Sequence, residues 1–557
     1  MSISLSSNVQ LPLPFTQFDN RSDGCDQPLT LNELRMNDLS NGLRNKPSWW
    51  TDLKDPGLRA QWTEEALQQN IRDGKLSPKD VEQVLNELED YAKMRADPTG
   101  ILPSSYAGIY ESDQLVSDDL KAKLQEAVKK LENAPDMQKD WRVGSGGVVL
   151  DVVDPALFSA VYGRTLCWTT DPDGKRHLEP LTPPSRDNNL VERSYSTNFC
   201  WIPTDFQLGN IGEPAKALGY INNVHPEHGR DLVTVVEALV GRFSLLWDRL
   251  LTDLHPRNRQ LLQGQRQKDA SYSTQGRKLQ VFVRVSGVHL TPENPEFPGG
   301  SWVVLGRANE RIISAGIYYY DEDNVTDAKW EFRVPVSLGS SIRERNDAEG
   351  IKTTWGLEEG KGSNQVVGEM KGPTGRSVVY PNAYQFRVSP LKLIDPTRPG
   401  YRKLIGLILV DPENPIPSTT DIPPQQAHWP RTENEGDFRA PMTLEEAKMY
   451  RAQSTEEGRA SLGKSLVTEV KTAIDDYVRE NEDIAEERLD EQFKILFVGP
   501  LEKPHDHVHP ILIIVDKCEY VPDVVRFVKL MDEYSSRYAI SFHYCPAFKG
   551  VIAATEL

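Results

Sequence analysis

At 557 residues and 62.9 kDa the chain is too long for one hydrophobic core, and units of roughly 100–200 residues are expected. Hydrophobic residues at 38%, charged residues at 26% and a mean hydropathy of −0.52 describe a globular chain in water, and the longest apolar runs, such as 404–410, reach seven residues where a spanning helix needs about 20. The 64 Lys plus Arg against 82 Asp plus Glu leave a net charge of −18, which argues against nucleic acid and membrane surfaces as partners.

Residues 1–30, rich in Ser, Pro, Asn and Gln without apolar periodicity, read as a flexible arm. The opening MSISLSSNVQLPLPF lacks the basic region and apolar core of a signal peptide, so a cytoplasmic location is expected. From 31 to 140 the spacing predicts a helical layer. TEEALQQNIRDG, SPKDVEQVLNELEDYAKMRA and DDLKAKLQEAVKKLENA carry apolar residues at i, i+3, i+4 and i+7, with an N-cap signal at SPKD. Residues 141–440 are β-rich, with KLQVFVRVSGVHL, GSWVVLG, RIISAGIYYYD, WEFRVPV, GRSVVYP, YQFRVSP and KLIGLILVDP as strands. One long amphipathic helix, GRDLVTVVEALVGRFSLLWDRLLTDL, is long enough to cross a sheet. A Pro-rich passage over about 412–440 closes this part, and 441–557 reads as an acidic helix followed by a β, β, α, β appendage. The expected class is α+β, with a jelly-roll or cupin-like core under the helical layer.

Several motifs carry less than their letters suggest. Gly458 to Ser465 matches the P-loop pattern, but a charged helical stretch precedes it where a buried strand is required, so it reads as a chance match. His505, His507 and His509 alternate between Pro504 and Pro510 and read as a solvated loop. Cys25, Cys167, Cys200, Cys518 and Cys545 are odd in number and scattered, which indicates neither a disulfide framework nor a zinc site. The nucleophile elbow of serine hydrolases, the zincin motif and the dinucleotide fingerprint are all missing.

Residues 280–411 do resemble a family. QVFV, HLTPENPEFPGGSWVVLGRANERIISAGIYYYDEDNVTD and GRSVVYPNAYQFRVSPLKLIDPTRPGYRKLIGLILVDP are similar to fungal proteins of the Domain of Unknown Function 4246 family. The similarity continues upstream through KPSWWTDL, VLDVVDPALFSAVYGRT, CWIPTDF and GYINNVHPEH, and covers roughly 30–450. The resemblance implies the double-stranded β-helix of iron(II) and 2-oxoglutarate oxygenases, whose metal is held by a His-x-Glu pair and a distal His. In this chain the corresponding positions are Val303, Leu305 and Phe386. Carbon side chains offer no lone pairs, so no metal ligand is expected and both iron and 2-oxoglutarate are predicted lost.

Around this site the matching positions suggest a ligand pocket formed by Val303, Leu305, Phe386, Trp302, Gln385, Arg387 and Arg402. Alternation places Val303 and Leu305 on one face and sets Gln385 and Arg387 opposite Phe386. Arg402 reads either as a carboxylate anchor or as a structural ion pair. Tyr318 and Tyr320 share one strand face and Tyr319 takes the other, with either face open as the core. Asn223 and His225, beside Asn222, either orient a ligand or cap turns. With His225, Asn223, Tyr318 and Tyr320 as catalytic candidates, the expected activity is redox-neutral, of cyclase, pericyclase, isomerase or lyase type, on a largely apolar specialised metabolite. The alternatives are a non-catalytic binding or scaffold protein, and an oxygenase whose iron uses other residues such as His225 or His289. Self-association stays open.

Overall fold

Three long strands, Lys278–Leu290, Ile312–Asp323 and Gly400–Val410, lie antiparallel at the centre of a ten-stranded sheet. Each has apolar side chains on both faces, the pattern of strands covered on two sides. The computed structural model describes residues 11–15, 28–95, 97–133, 139–187, 190, 194–259, 270–336, 347–358, 364–429 and 441–458, and four C-terminal strands. Outward from the centre the sheet continues through Ser377–Pro381, Tyr110–Ser112 and Leu102–Pro103 on one side, and through Val149–Val153 and Asp140–Trp141 on the other. Thr204–Gln207 and Lys216–Ala217 extend it beside Lys278–Leu290, and every pairing is antiparallel. The class is α+β.

Register decides which side chain serves which core. Val285, Ile405 and Tyr318 stand opposite one another, as do Val283, Leu407 and Gly316, and these rows face the helices. There the Arg230–Leu254 helix, predicted from its apolar stripe, buries Leu239, Phe243, Leu246, Trp247 and Leu250, with Asp118–Glu132 beside it. The approach is close. A Cβ on Gly316 would sit 2.7 Å from the Phe243 ring, and one on Gly241 would meet the Glu213 carbonyl oxygen.

On the other face Ala315, Ile317, Tyr319, Val378 and Tyr380 pack against a second, three-stranded antiparallel sheet made of Asn364–Lys371, Lys329–Pro335 and Gln385–Val388. Its Trp330, Phe332, Val367 and Met370 close an apolar compartment between the two sheets.

The N-terminal helices Leu31–Arg44, Pro56–Gln68 and Pro78–Met94 have a core of their own around Leu43, Trp49, Trp62, Val81 and Leu88. Reciprocal Thr30–Glu33 and Ser77–Asp80 hydrogen bonds start the first and third, and proline occupies the first turn of the second and third. The stretch 31–140 is therefore not one layer: after Met94 the chain supplies two edge strands to the main sheet and a helix to its packed face.

A similar correction applies at 441. The helix over 444–458 is tied to the main body, because Arg451 forks onto Asp140 and reaches Asp154 at 2.9 Å, while Glu457 accepts from Thr197 and pairs with Arg307. Beyond it, Lys494–Val498, Leu512–Asp516, Gly550–Thr555 and Ile540–Cys545 form an antiparallel sheet in that order. The first, second and fourth of these match expected strands. The expected helix between them, the P-loop-like segment past Gly458 and the three alternating histidines lie outside the described residues. Among the described residues no helix is long and apolar enough to cross a membrane.

Gly316→Ala is expected to lower the unfolding free energy by about 2 kcal/mol, because overpacking forces the Phe243 ring out of place. Urea unfolding checks this, and adding Phe243→Leu should recover part of the loss, since the two residues share one contact.

Candidate functional site

The three positions singled out in sequence meet at one end of the inter-sheet compartment. Val303 and Phe386 exchange both backbone hydrogen bonds at 3.0 Å, and Phe386 lies directly opposite Phe332 across the next pairing. Directly opposed residues in antiparallel strands share a face, so the row Val303–Phe386–Phe332 looks toward the main sheet. GSWVVLG is not the strand expected: the pairing is one isolated bridge, and Leu305 is positioned instead by Asn382. The Asn382 side chain accepts from the Leu305 N–H and donates to its carbonyl, both at 2.9 Å, and donates to Ile312 O as well. Leu305 packs on the compartment, and Val303, 39% exposed, stands at its mouth.

The interior is aromatic. The Tyr380 ring lies 5.2 Å from both Phe386 and Phe332, and Tyr384 is 5.9 Å from Phe332. The Tyr380 hydroxyl is buried with no hydrogen-bond partner among the described residues, and burial raises its pKa well above that of a free phenol. A two-histidine, one-carboxylate iron site needs three converging lone-pair donors, which Val303, Leu305 and Phe386 do not supply. Among the described residues no group of three His, Cys, Asp or Glu is placed to hold a metal ion.

Gln385 and Arg387 take the face opposite Phe386, as alternation requires. There the guanidinium carbons of Arg387 and Arg333 each lie 4.6 Å from the Trp302 ring centre. Arg387 pairs with Glu331 at 2.7 Å, and the Gln385 side-chain oxygen accepts from Arg333. Burial, and then the neighbouring Arg387, push the Arg333 pKa down to about 10. Trp302, Gln385 and Arg387 thus form a polar platform behind the compartment rather than part of its lining.

Arg402 is buried: it pairs with Glu322, donates to the Gly372 carbonyl and lies 3.8 Å over the Tyr319 ring, while its Nε has no partner among the described residues. Tyr319 stacks on Trp330 at 5.3 Å and accepts its indole N–H, so these two rings stand between Arg402 and Phe386. Tyr318 and Tyr320 belong to the helix-packed core, and burial pushes Tyr318 up to about 12 and Tyr320 further. Of the three tyrosines it is Tyr319 that faces the compartment.

Asn223 and His225 are turn-builders. Asn223, at φ +67°, donates to the carbonyls of Asp154 and Leu157 at 2.7 Å, and its oxygen accepts from Gln426, which also donates to Asn222. The Nδ1 of His225 accepts from the N–H groups of Glu227 and His228 just before the long helix, and the ring stacks on His228 at 4.4 Å. Burial, then His228, lower the His225 pKa. Neither is brought to the Val303–Phe386 pair by any of these contacts.

Sequence reasoning passed over Tyr380 and Asn382. The alternation of GRSVVYP would have placed Tyr380 with Val378, whereas nothing in the letters marks Asn382 as the clamp on Leu305.

The chain matches the family described as "Protein of unknown function (DUF4246)" over residues 78–275 and 262–433, and "Domain of unknown function DUF4246, N-terminal" over 8–65. It belongs to this family. Solved structures similar to it include IDO from Bacillus thuringiensis, with 8% identity over 54% of this chain and 89% of that one. A second is the Fe(II)/(alpha)ketoglutarate-dependent dioxygenase TqaL, with 11% over 38% and 66%. A third is a bsmA homolog from Methylobium petroleophilum PM1, with 10% over 58% and 87%; the TM-score is 0.21 in each case. No curated protein matches the chain.

His289, the other proposed substitute ligand, lies between the rings of Trp141 at 6.0 Å and Tyr401 at 6.3 Å. Burial, then Lys403 and Lys139, push its pKa down to about 4. The unfolded chain therefore binds this proton more readily than the folded one. Stability from this residue is complete above about pH 6.5 and falls as the pH drops toward 4, by up to about 3 kcal/mol. Denaturant unfolding at pH 7 and pH 4 should show this increment in the wild type and lack it in His289→Phe.

Proposed function

We propose that this family member works without iron or 2-oxoglutarate and takes a largely apolar small molecule at the mouth of the inter-sheet compartment. The scaffold we propose is a double-stranded β-helix of the oxygenase type, a reading supported by two antiparallel sheets facing each other across one apolar interior. The observation that carries the proposal is the Val303–Phe386 pair with Leu305 beside it. Three separate positions that need donor atoms for iron instead present carbon to the same compartment, which favours an apolar ligand.

Elemental analysis after anaerobic loading with iron(II) and 2-oxoglutarate tests this. The wild type should retain well under one iron per chain and support no 2-oxoglutarate decarboxylation, whereas Val303→His with Leu305→Glu and Phe386→His should gain about one iron. Stoichiometric iron in the wild type overturns the proposal.

A second reading, redox-neutral chemistry of the cyclase, isomerase or lyase type, is favoured by the Tyr380 hydroxyl. A buried donor without a protein partner can polarise a carbonyl of a bound molecule while the surrounding rings hold one reactive conformer. Maintaining it unpartnered costs stability, so Tyr380→Phe should stabilise the fold by about 1 kcal/mol. Chemical unfolding checks this: a destabilised Tyr380→Phe would mean that the hydroxyl has a structural partner, and the second reading would fail.

A further inference from the structure

A second concave site opens at the Arg402 end of the main sheet. Its cleft, of about 530 Å³, lies between the turn after Leu31–Arg44, the end of Pro78–Met94, the edge strand Tyr110–Ser112 and the turn over 371–376. Six Lys or Arg side chains and four Asp or Glu line it, a cationic surplus on a chain of net charge −18.

The surplus sits on particular arginines. Arg376 engages the available carboxylates, forking onto Asp113 at 2.7 and 3.0 Å and lying 3.2 Å from Glu111. Arg402 is committed to Glu322. Arg44 donates through Nη2 to the Pro103 carbonyl, lies 4.8 Å over the Tyr91 ring and stands 3.6 Å from Glu111, longer than a hydrogen bond, and although its side chain is only 6% exposed its Nη1 has no partner among the described residues. Arg95 has no ion pair among the described residues, and its guanidinium lies flat on Trp50, 3.7 Å from the ring centre. Burial, and to a smaller extent the neighbouring Arg376, lowers the pKa of both Arg44 and Arg95. Arg44 and Arg95 sit at helix C-terminal ends, where carbonyls favour cations, but helix ends do not explain three guanidinium groups crowded around one opening. Arg44 and Arg95, incompletely paired, with the Arg376 fork beside them, match the charge and geometry of a tetrahedral oxyanion.

We propose that this cleft binds the phosphate group of a small molecule between Arg44, Arg95 and Arg376. The site is separate from the inter-sheet compartment, since Tyr319 and Trp330 stand between Arg402 and Phe386, and it stands whether or not the compartment takes an apolar ligand.

The test is titration of the full chain at fixed ionic strength with inorganic phosphate, phenyl phosphate and benzoate, read by calorimetry and by unfolding temperature. Saturable binding of both phosphates, with benzoate inert, is expected. Phenyl phosphate binding at least threefold tighter than inorganic phosphate identifies a phosphorylated organic ligand, and equal binding identifies free phosphate. Arg95→Met should weaken phosphate at least tenfold, and Arg376→Lys, which keeps the charge but loses the fork, should also weaken it. Lys392→Met, on a surface pair with Glu296 outside the cleft, should leave it unchanged. Absence of saturable phosphate binding, benzoate binding as tightly as phosphate, or an Arg95→Met variant indistinguishable from the wild type overturns the proposal.

Discussion

Val285, Ile405 and Tyr318 stand opposite one another across three strands, and on the other face so do Phe282, Ile408 and Ala315. Because these strands are covered on both faces, one register serves two cores at once. A one-residue slip would exchange the side chains sized for the Arg230–Leu254 helix with those sized for the inter-sheet compartment. Gly316 shows how little latitude this leaves, since its row meets Phe243 where no Cβ fits. The compartment, the Val303–Phe386 pair and the placement of Arg402 all inherit their geometry from that register.

The same alternation explains how the molecule separates its chemistry. Along Gln385–Val388, Phe386 faces the aromatic interior while Gln385 and Arg387 build the platform around Trp302 on the reverse side. Along Ile312–Asp323, Tyr318 and Tyr320 are committed to the helices and Tyr319 to the compartment, where it carries Arg402 on one side and Trp330 on the other. The Arg387 and Arg333 guanidinium groups are thus kept on the reverse of the second sheet, and the Phe332, Tyr380 and Phe386 rings meet between the sheets.

Much of this was legible in the letters. The long strands and the long helix follow from periods of two and 3.6, and the contrast between Phe386 and its neighbours follows from pleating alone. What periodicity does not reveal is which of two apolar faces meets which partner, and that is why either tyrosine face stayed open as the core and Tyr318 and Tyr320, offered as catalytic candidates, belong to the helix-packed core. GSWVVLG has the composition of a strand, yet glycines at 299 and 300 lead into it, Gly299 at φ +94°, and a single bridge is all that forms. Asn223 and His225 are polar residues in a loop, and from sequence a clamp and a ligand contact look alike. The arginine cleft was invisible because Arg44, Arg95 and Arg376 come from turns far apart in the chain, each unremarked in its own segment.

The apolar residues at 303, 305 and 386 also bear on how the fold is held together. Imidazole and carboxylate groups gathered in an apolar compartment are costly unless a metal or hydrogen bonds satisfy them, so a chain carrying such a set ties part of its stability to the ion. Valine, leucine and phenylalanine carry no such cost: Leu305 and Phe386 add apolar contacts to the rings of the compartment, and Val303 and Phe386 are joined by two backbone hydrogen bonds. Unlike the Tyr319 hydroxyl, which accepts from Trp330, the Tyr380 hydroxyl has no hydrogen-bond partner among the described residues and is kept inside at a cost when phenylalanine would fill the same space.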